Sequence, residues 1–284
     1  MSTNTSQLMS DAKFYESYAR YNSELSRYET WDEAVDRVMS MHRTKYSSLM
    51  TPELSVLIDY AQVAYENKYI LGAQRALQFG GDQLLNKNAK MYNCTASYCD
   101  RSSVFGEIFW LMLCGCGVGF SVQKHHIAKL PAIAHRTKQA KTFLVEDSIE
   151  GWADAVNALL RSFFVEESEF KGRKISFDLT GIRPKNSHIS GGFKAPGPEP
   201  LRKALDKIEK LLVDALDAGD TNLRTITAYD VIMFIADAVI AGGVRRAATI
   251  CLFSHDDLDM ITAKTGSWFV DNPQRGRKHI TASL

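Results

Sequence analysis

An excess of charge of one sign is missing. Across 284 residues, 34 Lys and Arg face 33 Asp and Glu, leaving a formal net charge of +1. A protein that grips nucleic acid through a broad basic face carries an excess this chain lacks, although a local phosphate pocket needs none. Cysteine is scarce. The five present, Cys94, Cys99, Cys114, Cys116 and Cys251, are too few and too unevenly spaced for a disulfide framework. Long apolar runs are also absent: none reaches the roughly 18–20 residues of a bilayer-spanning helix. The best stretch, Val104 to Val122, is broken by Glu107 and four glycines. The opening Met-Ser-Thr-Asn-Thr-Ser-Gln has neither the basic flank nor the apolar core of a signal peptide. These absences lead to the expectation of a reduced, cytoplasmic protein with no membrane and no nucleic-acid partner.

What is present describes a folded chain. Hydrophobic residues make up 45% and charged residues 24%, and the length supplies ample core. Residues 1–12 are polar and read as a disordered tail. A helical section follows over 13–85, tyrosine-rich at Tyr15, Tyr18, Tyr21 and Tyr28. Thr30-Trp31-Asp32-Glu33 predicts a capping box, with Ala34, Val35, Val38 and Met39 at helical spacing behind it. Thr51-Pro52-Glu53 starts another helix, with Leu54, Leu57, Ile58 and Ala61 expected on one face.

From residue 86 the pattern alternates, which predicts an α/β fold. Met91 to Ser97 reads as a short strand, Val104 to Leu113 as an apolar helix, and Phe120 to Gln123 as a second strand. Ser148 caps a helix carrying Trp152, Val156, Leu159, Leu160 and Phe163. Ile175 to Asp178 reads as a strand, followed by a Gly-, Pro- and Ser-rich loop from Gly181 to Pro200. Leu201, Leu205, Ile208 and Leu212 mark a surface helix, and Val231, Ile232, Ile235 and Val239 a buried one. Ala247 to Phe253 is β-rich.

Several motifs invite chemistry. The glycines of Gly115-Cys116-Gly117-Val118-Gly119 suggest dinucleotide binding, but the third glycine of G-x-G-x-x-G is replaced by Phe120. The order is also reversed, helix before glycines and strand after. What remains is backbone with little side-chain cover, suited to close approach of a ligand or of another strand. Zinc is disfavoured, because Cys114-Gly115-Cys116 is a poor chelate at a helix end, and the cysteines read mainly as small core hydrophobes. Cys94 differs, lying in the polar run Tyr92-Asn93-Cys94-Thr95 where a thiol can face a cleft. Asn186-Ser187-His188 approaches a cobalt-ligating loop but lacks the Asp that would orient the imidazole. Gly242-Gly243-Val244-Arg245-Arg246 places two arginines after two glycines, the composition of a phosphate- or base-binding loop or of an exposed basic turn. Lys185 adds a second basic loop.

Taken in order, these pieces resemble one family. Asn93-Cys94, Gly115 to Phe120, Val145 to Trp152, Ile182-Arg183-Pro184-Lys185, Pro196 to Leu201, Gly242 to Arg246 and Asn272-Pro273-Gln274-Arg275 together look like the N-terminal portion of adenosylcobalamin-dependent, class II ribonucleoside-triphosphate reductases. The resemblance runs from about Phe14 to Arg277. It implies helices followed, over 86–284, by the first part of a ten-stranded α/β barrel with effector-loop elements.

The resemblance also implies roles. Cys94 would be the first cysteine of the pair that reduces the ribose. Asn93, Cys116 and Gly117 would line the substrate site. Asp100 and Arg101, with Gly242, Gly243, Val244, Arg245 and Arg246, would serve a deoxyribonucleotide effector. Adenosylcobalamin is the implied cofactor, a thioredoxin-type protein the reductant and a ribonucleoside triphosphate the substrate; no metal-ligating residue is assigned. The family's Asn-Pro-Cys-x-Glu radical loop does not occur here, and Lys278 to Leu284 drift from the pattern. A complementary C-terminal reductase chain carrying the radical cysteine is therefore expected. The alternative is a non-catalytic nucleotide-binding or regulatory module that kept the effector loop and lost the chemistry.

Overall fold

The computed structural model describes residues 2–189, 193–240, 248–276 and 279–283. The chain divides into two compact units, residues 1–93 and 94–284, so the boundary falls a few residues beyond the expected 85/86.

The first unit is built on helices. α1 (Ser2–Ser17) occupies most of the stretch expected as a disordered tail and buries Phe14. A two-stranded antiparallel pair, β1 (Tyr21–Asn22) and β2 (Arg27–Tyr28), leads to α2 (Trp31–Lys45). The capping box forms as the sequence predicts: Thr30 accepts from the Glu33 amide and Glu33 from the Thr30 amide. α3 (Pro52–Glu66) starts at Thr51, whose hydroxyl accepts from the Leu54 amide. α4 (Gln74–Phe79) and α5 (Asp82–Asn86) close the unit. Its core gathers Phe14, Val35, Val38, Tyr65, Leu77 and Leu84. Ile58 and Ala61 pack against that core, but Leu57 points outward, so the expected inner face of α3 is narrower than its apolar pattern.

In the second unit, β3 (Cys94–Tyr98) is followed by α6 (Val104–Leu113) and β4 (Gly117–Ser121). After α7 (Lys124–Ile127) come β5 (Lys138–Leu144), α8 (Ile149–Phe163) and β6 (Arg173–Asp178). The hairpin β7 (His188–Ile189) and β8 (Phe193–Lys194) precedes α9 (Glu199–Asp217) and α10 (Thr225–Ile240). β9 (Thr249–Phe253), α11 (Leu258–Ile261), α12 (Trp268–Asp271) and β10 (His279–Ser283) complete the chain. The main sheet has the order β10-β9-β4-β3, parallel throughout. β5 and β6 form a separate parallel pair.

α6 packs on β3 and β4, α8 and α10 pack on α6, and α9 packs on α10 and α8. The side chains of Val118, Phe120, Thr249, Cys251 and Phe253 are buried, and Phe120 stacks on Tyr229 of α10 with centroids 6.3 Å apart. The mixed helix-and-sheet class expected from the sequence is present; of the expected barrel, the described residues show a four-stranded parallel sheet. β4 starts three positions before the expected Phe120. Gly115, at φ +90°, ends α6 in the left-handed conformation glycine tolerates, and this lets Gly117 and Gly119 lie inside the strand. No helix of the described residues is long and apolar enough to cross a membrane.

Candidate functional site

Period-2 alternation makes β3 and β4 two-faced. Thr95 and Ser97 of β3 are half-buried, whereas Cys94, Ala96 and Tyr98 are exposed. In β4, Val118 and Phe120 are buried, while Gly117 and Gly119 reach partial solvent. The parallel register sets Cys94 beside Gly117 and Ala96 beside Gly119, and Gly119 beside Ile250 of β9. Ile250 is itself exposed. One face of the sheet therefore carries a thiol, a methyl group, two bare glycines and an isoleucine. Parallel sheets are ordinarily covered on both faces, and no helix among the described residues of the second unit covers Cys94, Ala96 and Ile250, which are exposed. At Gly119 an added Cβ would stand 3.3 Å from Ile250 Cγ2, so a larger residue there would raise the floor beside Ala96.

The expected site residues that fall among the described residues each have a definite place. Cys94 is the exposed cysteine, and Cys99, Cys114, Cys116 and Cys251 are buried. Burial pushes the Cys99 and Cys251 thiols well above the usual range, which keeps them protonated and inert. Asn93 closes the first unit, its Oδ1 accepting from Arg75 Nη2 at 3.0 Å. Gly117 lies beside Cys94 in register. The Cys116 side chain is wholly buried, so only its backbone can face a ligand. The Cys114–Cys116 pair serves the end of α6: Gly115 N–H donates to Met112 O and Cys116 N–H to Leu111 O. Among the described residues no group of three or more His, Cys, Asp and Glu could hold a metal ion.

Asp100 and Arg101 sit past the opposite, C-terminal end of β3, about 13 Å along the strand from Cys94 to Tyr98 at ordinary strand rise. Ligands of open parallel sheets collect at that end. Arg101 is closed into an ion-pair network: Nη1 donates to Asp100 Oδ1 at 2.9 Å, Nε to Glu107 Oε1 at 3.1 Å, and Nη2 to Glu107 Oε2. Its bond to Glu107 raises the guanidinium pKa and holds the Glu107 carboxyl below its usual range. Beside it, His126 Nδ1 lies 2.9 Å from Ser121 Oγ, and its ring packs on Tyr98 at 4.7 Å and on His125 at 4.0 Å. Sequence reasoning missed this histidine pair, whose partners are strand residues not adjacent in the chain. Gly242, Gly243, Val244, Arg245 and Arg246 lie outside the described residues; α10 ends at Ile240 and β9 begins at Thr249.

A second concavity, about 520 Å³ in volume, is lined by residues including Phe177, Asp178, Thr180, Lys185, Pro198 and Arg202. The Asp178 carboxylate accepts from the Thr180 amide at 2.9 Å and hydroxyl at 2.6 Å, which holds its pKa down. Arg183 Nε donates to Asp147 Oδ2 at 2.5 Å, joining two of the sequence motifs. Lys185 was legible as basic, but the pocket around it was not.

Residues 122–212 match the family model of the B12-dependent ribonucleotide reductase insertion domain. The adenosylcobalamin-dependent ribonucleoside-triphosphate reductase of Lacticaseibacillus paracasei is 29% identical over 87% of this chain and 41% of its own. That of Lactobacillus leichmannii is also 29% identical, with the same shares covered. The chain thus spans about two fifths of the length of these curated relatives. A crystal structure of B12-dependent (class II) ribonucleotide reductase shares the fold, with a TM-score of 0.78 at 23% identity over 96% of this chain and 45% of that one. In its insertion-domain segment, along most of its sequence and in its fold, the chain is similar to the N-terminal portion of adenosylcobalamin-dependent, class II ribonucleotide reductases.

Proposed function

We propose that this chain is the N-terminal portion of a B12-dependent ribonucleoside-triphosphate reductase and works with a complementary chain that carries the radical cysteine. The observation that carries the proposal is the exposed Cys94 set against Gly117 on an uncovered parallel-sheet face. Bare backbone at Gly117 and Gly119 lets a ribose lie close to that thiol. In the proposed reaction a thiyl radical on the complementary chain takes the 3′ hydrogen of the ribonucleotide. Cys94 and a second cysteine then give up one hydrogen each and join as a disulfide; one of these hydrogens leaves with the 2′ hydroxyl as water and the other ends on C2′, whose C–O bond is replaced by C–H. The 3′ hydrogen returns, and a thioredoxin-type dithiol restores the pair.

Adenosylcobalamin supplies radical initiation when bound. His188, the one histidine in a cobalt-ligand-like context, is exposed on a two-residue strand and is preceded by Asn186 rather than by an Asp. The role assigned to Asp100, Arg101 and Gly242 to Arg246 is effector binding: a bound deoxyribonucleotide favours one loop arrangement, and the substrate base reads that arrangement.

The deciding experiment co-expresses this chain with the reading frame downstream of its gene and assays deoxyribonucleotide formation with adenosylcobalamin and a dithiol. Turnover is expected only with both chains and is expected to vanish in Cys94→Ser. Nucleotide binding by the lone chain, with no turnover in any combination, would overturn the enzymatic reading and leave a binding module.

A further inference from the structure

The last residues of the first unit are fastened to α4. That helix buries Ala76 and Leu77 and packs on the 3-10 turn Asn88–Met91. In the turn Ala89 is buried, Met91 packs on the core of the unit, and the Tyr92 amide donates to Ala89 O at 3.1 Å. Asn93 comes next. It is exposed, yet its amide is held, because Oδ1 accepts from Arg75 Nη2 at 3.0 Å. Arg75 is held in turn. Its guanidinium carbon lies 5.6 Å from the centre of the Phe79 ring, one helical turn further along α4, and Lys90 Nζ lies 6.0 Å from the same ring. Phe79 packs against the core of the unit. A planar guanidinium resting on a fixed ring is already ordered, so little freedom is lost when it donates.

Arginine carries five N–H donors and no acceptor, so only the oxygen of the Asn93 amide can face Arg75. The amide is thereby given a direction. Its NH2 end is turned away from Arg75, and a group that meets that end has to accept a hydrogen bond. We propose that Arg75 is a positioning residue for the substrate, fixing the Asn93 amide so that its NH2 donates to an oxygen of the ribonucleotide next to Cys94. The inference rests on the reductase reading, in which Asn93 lines the substrate site, and it names a residue outside the set that the sequence singles out. An amide free to turn over would present its oxygen as readily as its nitrogen, and oxygen against a phosphate or ribose oxygen repels. Arg75 removes the wrong arrangement before the ligand arrives, which is where preorganisation gains affinity.

The test assays ribonucleotide reduction by this chain together with its complementary chain and separates kcat from KM. Arg75→Met is expected to raise the KM for the ribonucleotide about tenfold with kcat nearly unchanged, because the contact it weakens is made in the ground and transition states alike. A role confined to bracing the chain ahead of β3 would disturb Cys94 and lower kcat instead. In an Asn93→Ala background, Arg75→Met is expected to raise KM no further, as for two residues that act as one. Asn93→Asp, at an exposed position, still accepts from Arg75 but has no donor to offer, and is expected to raise KM as Asn93→Ala does. The lone chain gives a reading without turnover: the side-chain amide resonances of Asn93 are expected to shift in Arg75→Met. Additive effects of Arg75→Met and Asn93→Ala overturn the inference, as do an ordinary KM in Asn93→Asp or Asn93 resonances that stay in place. An active pair of chains indifferent to Arg75→Met removes this inference alone. Unmodified chains that never turn over together remove the reductase reading and this inference with it.

Discussion

His126 is the residue whose surroundings most constrain its chemistry. Its imidazole sits between Tyr98, His125 and the Ser121 hydroxyl. Burial, first, and the neighbouring His125, second, lower its pKa from the ordinary 6.5; Asp100 opposes the shift and Lys129 adds to it. A histidine with a lowered folded pKa takes up its proton more readily in the unfolded chain. Its contribution is therefore complete above about pH 6.5 and is lost as pH falls through the lower, folded value. His42, lowered by burial, acts in the same direction. Urea midpoints at pH 8, 7, 6 and 5 should fall on the acid side, and His126→Gln should flatten that limb. A variant with the same slope as the unmodified chain would assign the acid sensitivity elsewhere. Nothing in Lys124-His125-His126 announces this pair as special. Its character comes from Tyr98 and Ser121, which strand register alone brings to it.

At the scale of elements, α10 is held by a buried charge. Asp230 accepts from Arg275 Nε at 2.7 Å and Nη2 at 2.5 Å, and Arg275 Nη1 donates to Ala263 O at 3.0 Å. The pair ties α10 to the turn just before β10. Arg275→Met would strand a buried carboxylate and should cost about 3–5 kcal/mol, whereas Asp230→Leu together with Arg275→Met should recover most of it. Denaturant unfolding of the two variants checks both, and a double variant as weak as the single one would show that the pair does more than neutralise itself. The sequence offered Asn272-Pro273-Gln274-Arg275 as a piece of a resemblance, but Asp230 is 45 residues away and could not be read as its partner. Elements with strong local signals were legible: the α2 capping box, α6, the Ser148 cap of α8 and the 3.6-residue periodicity of α9. β5 was not, because Lys-Gln-Ala-Lys-Thr-Phe-Leu has a polar first half and becomes a strand only through its pairing with β6. β4 was placed too late, since glycines inside a strand look like a turn until their neighbours are known.

At the scale of the whole molecule, the uncovered sheet face is the main unfinished feature. The chain spans 41% of the length of its curated relatives, and a parallel sheet ordinarily has both faces covered. Edge strands and apolar surface left in this state invite association. The sequence disclosed Cys94 and the glycine run as separate candidates. It could not show that they share one face, because that depends on the pairing of residue 94 with residue 117. The face has a built-in reporter. Of five cysteines, Cys94 is exposed and the other four are buried. An aromatic disulfide reagent should therefore titrate one thiol in the native chain and five after denaturation, with Cys94→Ser abolishing the native reaction. If the face is the interior of a barrel closed by a complementary chain, adding that chain should slow the labelling of Cys94 by about tenfold or more, as ordering around a buried site requires. Labelling at the same rate in the complex would mean that the complementary chain binds somewhere else and that the face with Cys94 stays open to solvent.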